Sequence, residues 1–179
     1  MAKRGLTVTK DHTSQFLKAV GVLTNTKVMV GVPEANDERE DSSVTNAEIG
    51  YMMENGVPEH NVPARPHLVP GVRRAQPKVV DYLKQAGRLA MDGRPDGVER
   101  ALMSAGQTAV TSVKGLIREG IAPPLADSTV RARARKRKGA RLEMERRAAG
   151  EAPSTDLVKP LINTAQYLNS ITYVLRKTK

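Results

Sequence analysis

Three prolines fall within eight residues at Pro63-Ala64-Arg65-Pro66-His67-Leu68-Val69-Pro70. Each fixes its own φ and removes one backbone donor, and each pushes the residue before it toward extended geometry. The stretch therefore predicts a stiff, extended connector over 63–70. It also divides the chain, with an amphipathic segment carrying clean caps upstream and a long helical region downstream.

Upstream, residues 5–9 alternate weakly and predict a short strand. Residues 11–23 place Phe16, Leu17, Val20 and Leu23 at helical spacing. Lys27–Val32 is β-branched and alternating, with Val28, Val30 and Val32 on one face, and Pro33 stops it. Thr45-Asn46-Ala47-Glu48 has the form of a capping box, and Ile49, Met52 and Met53 follow at helical spacing, so a helix is expected over 46–54. Asn55-Gly56 supplies its left-handed stop.

Downstream, Pro77 is expected in the first turn of a helix with an apolar stripe of Val79, Val80, Leu83, Ala86 and Ala90. Asp92–Gly97 reads as a turn, and Asp96 with Glu99 imitates a second capping box. Val98, Leu102, Ala105, Ala109, Val113, Leu116 and Ile117 then trace one face of a long helix near 97–119, which Gly120 ends. A helical turn is expected around Ala165–Leu168, and Ile171–Arg176 reads as a strand that pairs with 27–32. The expected fold class is α+β in one domain over 1–179: a small antiparallel sheet (27–32 with 170–176) flanked by helices.

Charge organises what remains. The chain of 179 residues carries a net charge of +10, and only 3% of it is aromatic. Its core must come from Val, Leu, Ile, Met and Ala, and such a thin core suits burial completed in an assembly. Residues 34–41 hold five acids against Arg39, a net −4, and read as a solvated loop. Residues 127–150 hold nine Arg and Lys against three acids, a net +6, with almost no large apolar residue. A segment of that composition buries little of its own surface, so 121–160 is expected to be an extended, mobile basic arm. Asp127 or Ser128 can cap a short helix near Thr129 within it.

The residue types of most catalysis are missing or unarranged. There is no Cys, hence no disulfide and no thiolate metal site. His12, His60 and His67 lack metal-ligand spacing and read as ordinary surface or turn residues. No phosphate-binding loop, dinucleotide fingerprint or nucleophile elbow is present, so neither an enzyme nor a cofactor nor a metal is expected. No apolar run approaches a membrane span, and the basic start Met1–Gly5 lacks a following apolar signal region. A soluble, non-secreted protein without membrane partners is the expectation. The basic segment lacks interleaved aromatics for base stacking, which leaves non-specific nucleic-acid contact as the alternative to protein docking.

Three pieces, in order, resemble the tail-completion or neck proteins of long-tailed bacteriophages, the group that includes the minor tail protein Z type and related morphogenesis proteins. Residues 47–56 running into Val62-Pro63-Ala64-Arg65-Pro66-His67-Leu68 are similar to that group's helix followed by Ile-Pro-Ala-Arg-Pro-Phe, with His67 in place of Phe. Pro124-Leu125-Ala126-Asp127-Ser128-Thr129 resembles its Pro-Leu-Ser-x-x-Thr stretch. Residues 159–171, Lys159 to Ile171, resemble Pro-Leu-Ile-Asp-Thr-Gly-x-Leu-x-x-Ser-Ile, with Asn163 and Ala165 replacing Asp and Gly.

The resemblance implies an α+β ring subunit, a hexamer by preference, at the head–tail junction or tail end of the virion. Its implied partners are copies of itself and neighbouring neck and tail proteins. It implies no enzyme activity, and residence in the host cytoplasm during assembly. A head-to-tail ring sets one surface of each subunit against a different surface of the next. The opposite-charge segments make Glu38, Glu40, Asp41, Arg131, Arg135, Arg137 and Lys138 the expected interface residues, with Arg65 of the connector beside them.

Overall fold

The computed structural model describes residues 11–39 and 43–178. The strand expected over 5–9 lies outside the described residues. The fold is α+β, with seven α-helices and one two-stranded antiparallel sheet among the described residues. Helix α1 (Thr13–Asn25) runs directly into strand β1 (Thr26–Gly31), and a single 3-10 turn (Glu34–Asn36) follows. Helix α2 (Asn46–Asn55) precedes the connector, and helices α3 (Leu68–Met91) and α4 (Pro95–Glu119) form a long antiparallel pair. Helices α5 (Asp127–Ala134) and α6 (Lys138–Ala148) come next, then the short α7 (Gln166–Ser170) and strand β2 (Thr172–Lys177). As expected, β2 pairs with β1, in the register Val28 opposite Leu175 and Val30 opposite Tyr173. No helix among the described residues is long and apolar enough to cross a membrane.

Helix α4 is the spine. Its inward face, Val98, Ala101, Leu102, Ala105, Ala109, Val113 and Ile117, is buried along its whole length. The N-terminal half packs with Ala19 of α1 and with Ala86 and Ala90 of α3, under Val28 and Leu175 of the sheet. The C-terminal half packs with Tyr167, Leu168 and Ile171. Leu83, expected in the apolar stripe of α3, is instead 42% exposed. Small residues let α3 and α4 approach closely. A Cβ at Gly71 would lie 2.7 Å from the Val113 Cα, a backbone atom that no rotamer change can move. Gly71→Ala is thus expected to lower stability by about 1–3 kcal/mol. Gly115→Ala, where an added Cβ meets nothing within 4 Å, is expected to raise it by about 0.5–1 kcal/mol through helix propensity. Thermal denaturation of the two variants should move in opposite directions.

The capping box at the start of α2 is present. The Glu48 amide donates to Thr45 Oγ1 at 3.2 Å, and the Thr45 amide donates to Glu48 Oε2 at 2.8 Å. Several boundaries differ from expectation. The connector lacks regular structure only through His67, because Leu68, Val69 and Pro70 form the first turn of α3, where a missing donor costs little. Pro77 therefore lies inside α3 rather than at its start; its ring side is exposed, and tertiary packing of α3 on α4 outweighs the local cost of about 3 kcal/mol. Asp96 caps nothing. Pro95 occupies the first turn of α4 and moves the N-cap back to Arg94, which has no side-chain cap bond.

The largest correction concerns residues 121–160, which are not an extended arm. Helices α5 and α6 fold against each other over a small core of Val130, Ala134, Ala140 and Val158, with Leu125 packed on it. The N-cap of α5 is Ala126, and Asp127 is already helical. Polar burial makes up for the missing apolar bulk. Glu143, 0% exposed, accepts from Arg147 Nε at 3.0 Å, Arg146 Nη1 at 3.2 Å and the Ser154 amide at 2.9 Å. Burial alone would raise the Glu143 pKa, but the Ser154 amide and the two guanidiniums outweigh it and hold it below the ordinary carboxylate value.

Candidate functional site

The three segments that carry the resemblance meet in one buried junction. From the connector, Arg65 is 5% exposed. It donates from Nε to the Pro123 carbonyl at 2.9 Å and from Nη2 to the Pro124 carbonyl at 3.1 Å. From α5, Arg133 donates through Nη1 to the carbonyls of Lys159 at 3.2 Å and Ile162 at 3.0 Å. Segments remote in sequence are thus stitched through guanidinium-to-carbonyl bonds, which use the planar fork of arginine and leave its charge unneutralised. Burial, then the nearby Arg137 and Arg65, lower the Arg133 pKa.

His67 closes the junction. It is fully buried, which overturns its reading as an ordinary surface or turn residue. Its Nδ1 lies 2.8 Å from the Arg65 carbonyl and 3.2 Å from Glu54 Oε2, both acceptors. The proton therefore sits on Nδ1, and Nε2 accepts from the Tyr167 hydroxyl. Burial lowers the His67 pKa against the opposing pull of the Arg65 carbonyl and Glu54, and burial pushes the Tyr167 phenol well up. Tyr167 reaches its place because Gly50 of α2 leaves room: a Cβ there would stand 2.9 Å from the hydroxyl.

Glu54, at the end of α2, serves the start of α3. Its carboxylate accepts from the amides of His67 at 2.7 Å, Leu68 at 2.9 Å and Val69 at 3.1 Å. These are donors that a helix N-terminus leaves without intrahelical partners, and the anion also faces the positive end of the helix dipole. Burial would raise the Glu54 pKa, and the three amides and His67 lower it further than burial raises it. Arg65, Arg133, His67 and Glu54 each bond backbone groups here, and the His67–Tyr167 bond adds a link between side chains. Among the described residues, no group of three His, Asp or Glu is arranged to hold a metal.

The expected interface residues separate into two kinds. Arg65 is no surface group, for the reasons above. Glu38, Arg131, Arg135, Arg137 and Lys138 are exposed, and Arg137 donates to the Asn163 carbonyl. Glu40 and Asp41 lie outside the described residues. Asp37, in the same acidic stretch, is not merely solvated: its carboxylate accepts from the Ala47 amide at 2.6 Å and anchors α2. The acids within and beside the basic segment pair only with Arg146 and Arg147, through Asp127, Glu143 and Glu151. The seven cations between 131 and 141 take part in no ion pair among the described residues. The acids Glu34 and Glu38 likewise have none.

Sequence reasoning missed Glu54, Glu143 and the burial of His67. A signal for His67 existed: it stands where the resembled signature has Phe, an apolar residue, directly before a helix. Comparisons with protein-family models, curated proteins and solved structures give no match.

Proposed function

We propose that this protein is a structural subunit of a tailed-bacteriophage virion. Copies close into a ring, a hexamer by the resemblance, at the head–tail junction or tail end, and the ring joins the head connector to the tail. It turns over no substrate. The observation that carries this reading is the segregation of charge. Among the described residues, the seven cations at 131–141 and the acids Glu34 and Glu38 take part in no ion pair, while the Glu54 carboxylate of the junction is engaged by the start of α3. Surfaces of opposite sign on one rigid subunit fit a heterologous contact between neighbours, where charge contributes steering and register more than affinity. The junction supports the same reading, because it holds the segments at fixed angles.

The test is charge reversal read by mass. The purified protein should assemble into particles that are multiples of its 19.5 kDa chain, ring-shaped in negative stain. Changing Glu38, Glu40 and Asp41 together to Lys should abolish them. Adding Arg135→Glu, Arg137→Glu and Lys138→Glu in the same chain should partly restore them. The unpaired cations also favour one other reading, non-specific contact with nucleic acid. That reading wins if the acidic-stretch variant assembles normally while the basic variant alone loses salt-dependent binding to random duplex DNA.

A further inference from the structure

A cleft of about 320 Å³ opens between α2, the connector, α5 and the segment leading into α7. Arg39, Arg65 and Arg133 line it beside Met53, Leu125 and Leu161, and among the described residues no carboxylate does. Arg65 and Arg133 are ion-paired with no described residue, and two neighbouring, partly buried guanidiniums disfavour each other's charge.

The hydrogen bonds show what is left over. Arg133 spends only Nη1 on the backbone. Its Nε and Nη2 make no hydrogen bond among the described residues and are not shut off from solvent. That pair is the edge of the guanidinium that grips a carboxylate with two parallel bonds. Arg65 spends Nε and Nη2 and keeps Nη1.

We propose that this cleft receives a carboxylate side chain from an acidic peptide segment of a partner protein. Arg133 grips it side-on, Arg65 adds its spare donor, and apolar residues flanking the acid pack on Met53, Leu125 and Leu161. A nucleic-acid duplex fits less well. Arg65 lies 95% buried below the rim, within reach of a side chain but not of a phosphodiester fixed on a convex cylinder. The apolar walls also offer nothing to a hydrated phosphate backbone, and the one aromatic ring among the described lining residues, Tyr167, is buried with its hydroxyl committed to His67.

The inference does not rest on ring formation. A monomer would bind the segment equally well, and ring formation is read by mass while this site is read by peptide binding, so either can fail alone. The probe is a fluorescein-labelled Leu-Glu-Glu-Leu peptide followed by fluorescence polarisation at fixed ionic strength, with Leu-Gln-Gln-Leu as its control. We expect saturable binding of the acidic peptide and binding about tenfold or more weaker for the control, as loss of a charge-assisted pair implies. Arg133→Gln and Thr129→Trp, the latter filling the cleft from α5, should each weaken the acidic peptide about tenfold. Arg88→Gln on the exposed face of α3 should not. Circular dichroism establishes that each variant is folded, and if Arg133→Gln is not, Thr129→Trp decides. No saturable binding, equal binding of both peptides, or unchanged binding by Thr129→Trp overturns the proposal. So does a random DNA duplex that displaces the peptide and is itself weakened by Thr129→Trp, because the site then takes phosphate.

Discussion

Replacing Glu143 with Ala is expected to unfold the α5–α6 hairpin locally. Two arginines lose their common carboxylate, and one of them, Arg147, is only 11% exposed at its side chain. Removing one partner of a buried ionic cluster costs about 3–5 kcal/mol, because the remaining charge stays desolvated and uncompensated. The lower end applies here, since Arg147 keeps Asp127 at 2.6 Å and the Leu125 carbonyl at 2.9 Å. The hairpin's own apolar core is four small or medium side chains, too little to absorb that loss. Hydrogen exchange over 127–158 and tryptic cleavage at the arginines of 131–147 should both accelerate strongly. The α3–α4 pair, which shares none of these contacts, should stay protected. Glu145→Ala, one turn-neighbour away and exposed, should change stability by less than about 0.5 kcal/mol.

The second large effect lies at Glu54. In Glu54→Ala the amides of His67, Leu68 and Val69 lose their acceptor, and those of His67 and Leu68 are shielded from water. Each shielded donor left unpaired costs about 1–3 kcal/mol, so a loss of about 3 kcal/mol in urea denaturation is expected. The same cluster sets an acid limit on stability. The folded-state pKa of Glu54 is lowered from 4.5; its contribution is present above 4.5 and is lost as pH falls through the folded value. His67 is lowered from 6.5. The unfolded chain therefore takes up the His67 proton first, and stability falls as pH drops below 6.5, levelling off once the folded pKa is passed. Denaturation midpoints should decline from pH 7 downward. His67→Phe combined with Tyr167→Phe, which removes both ends of their bond, should flatten the first part of that decline and leave the Glu54 part. An unchanged pH profile in the double variant would show that His67 does not titrate in this window.

Apolar periodicity made most of the fold legible. Val28 and Val30 against Leu175 and Tyr173, the long stripe from Val98 to Ile117, and the Thr45–Glu48 box are local patterns, and each forms as its spacing predicts. What was illegible depends on contacts remote in sequence. Nothing near Leu68 shows that α3 starts there, because its cap comes from Glu54, fourteen positions earlier, on another helix. Nothing in the composition of 127–150 reveals a folded hairpin, because its folding depends on one acid buried between two arginines rather than on apolar bulk. Arg65 reads as a surface charge until the carbonyls of Pro123 and Pro124 are brought to it. The candidate site was legible in its parts and not in its geometry: the motif segments stand out, but their convergence is a property of the folded chain.

The pairing of β1 with β2 has a consequence for the timing of synthesis. Thr26 finds its partner at Lys177, and Gly31 at Thr172, so the sheet forms only when the last of these positions has left the ribosome. At 5–20 residues per second, translating the intervening chain takes roughly 7–30 s. Through that interval β1 presents an unpaired, β-branched edge of the sort that recruits other strands. Helix α4 emerges well before β2 and packs under β1, so it covers one face of the waiting strand and leaves only the edge to be closed. The nascent chain is most exposed to mispairing before α4 is complete, and the order of its elements ends that period well before β2 is made.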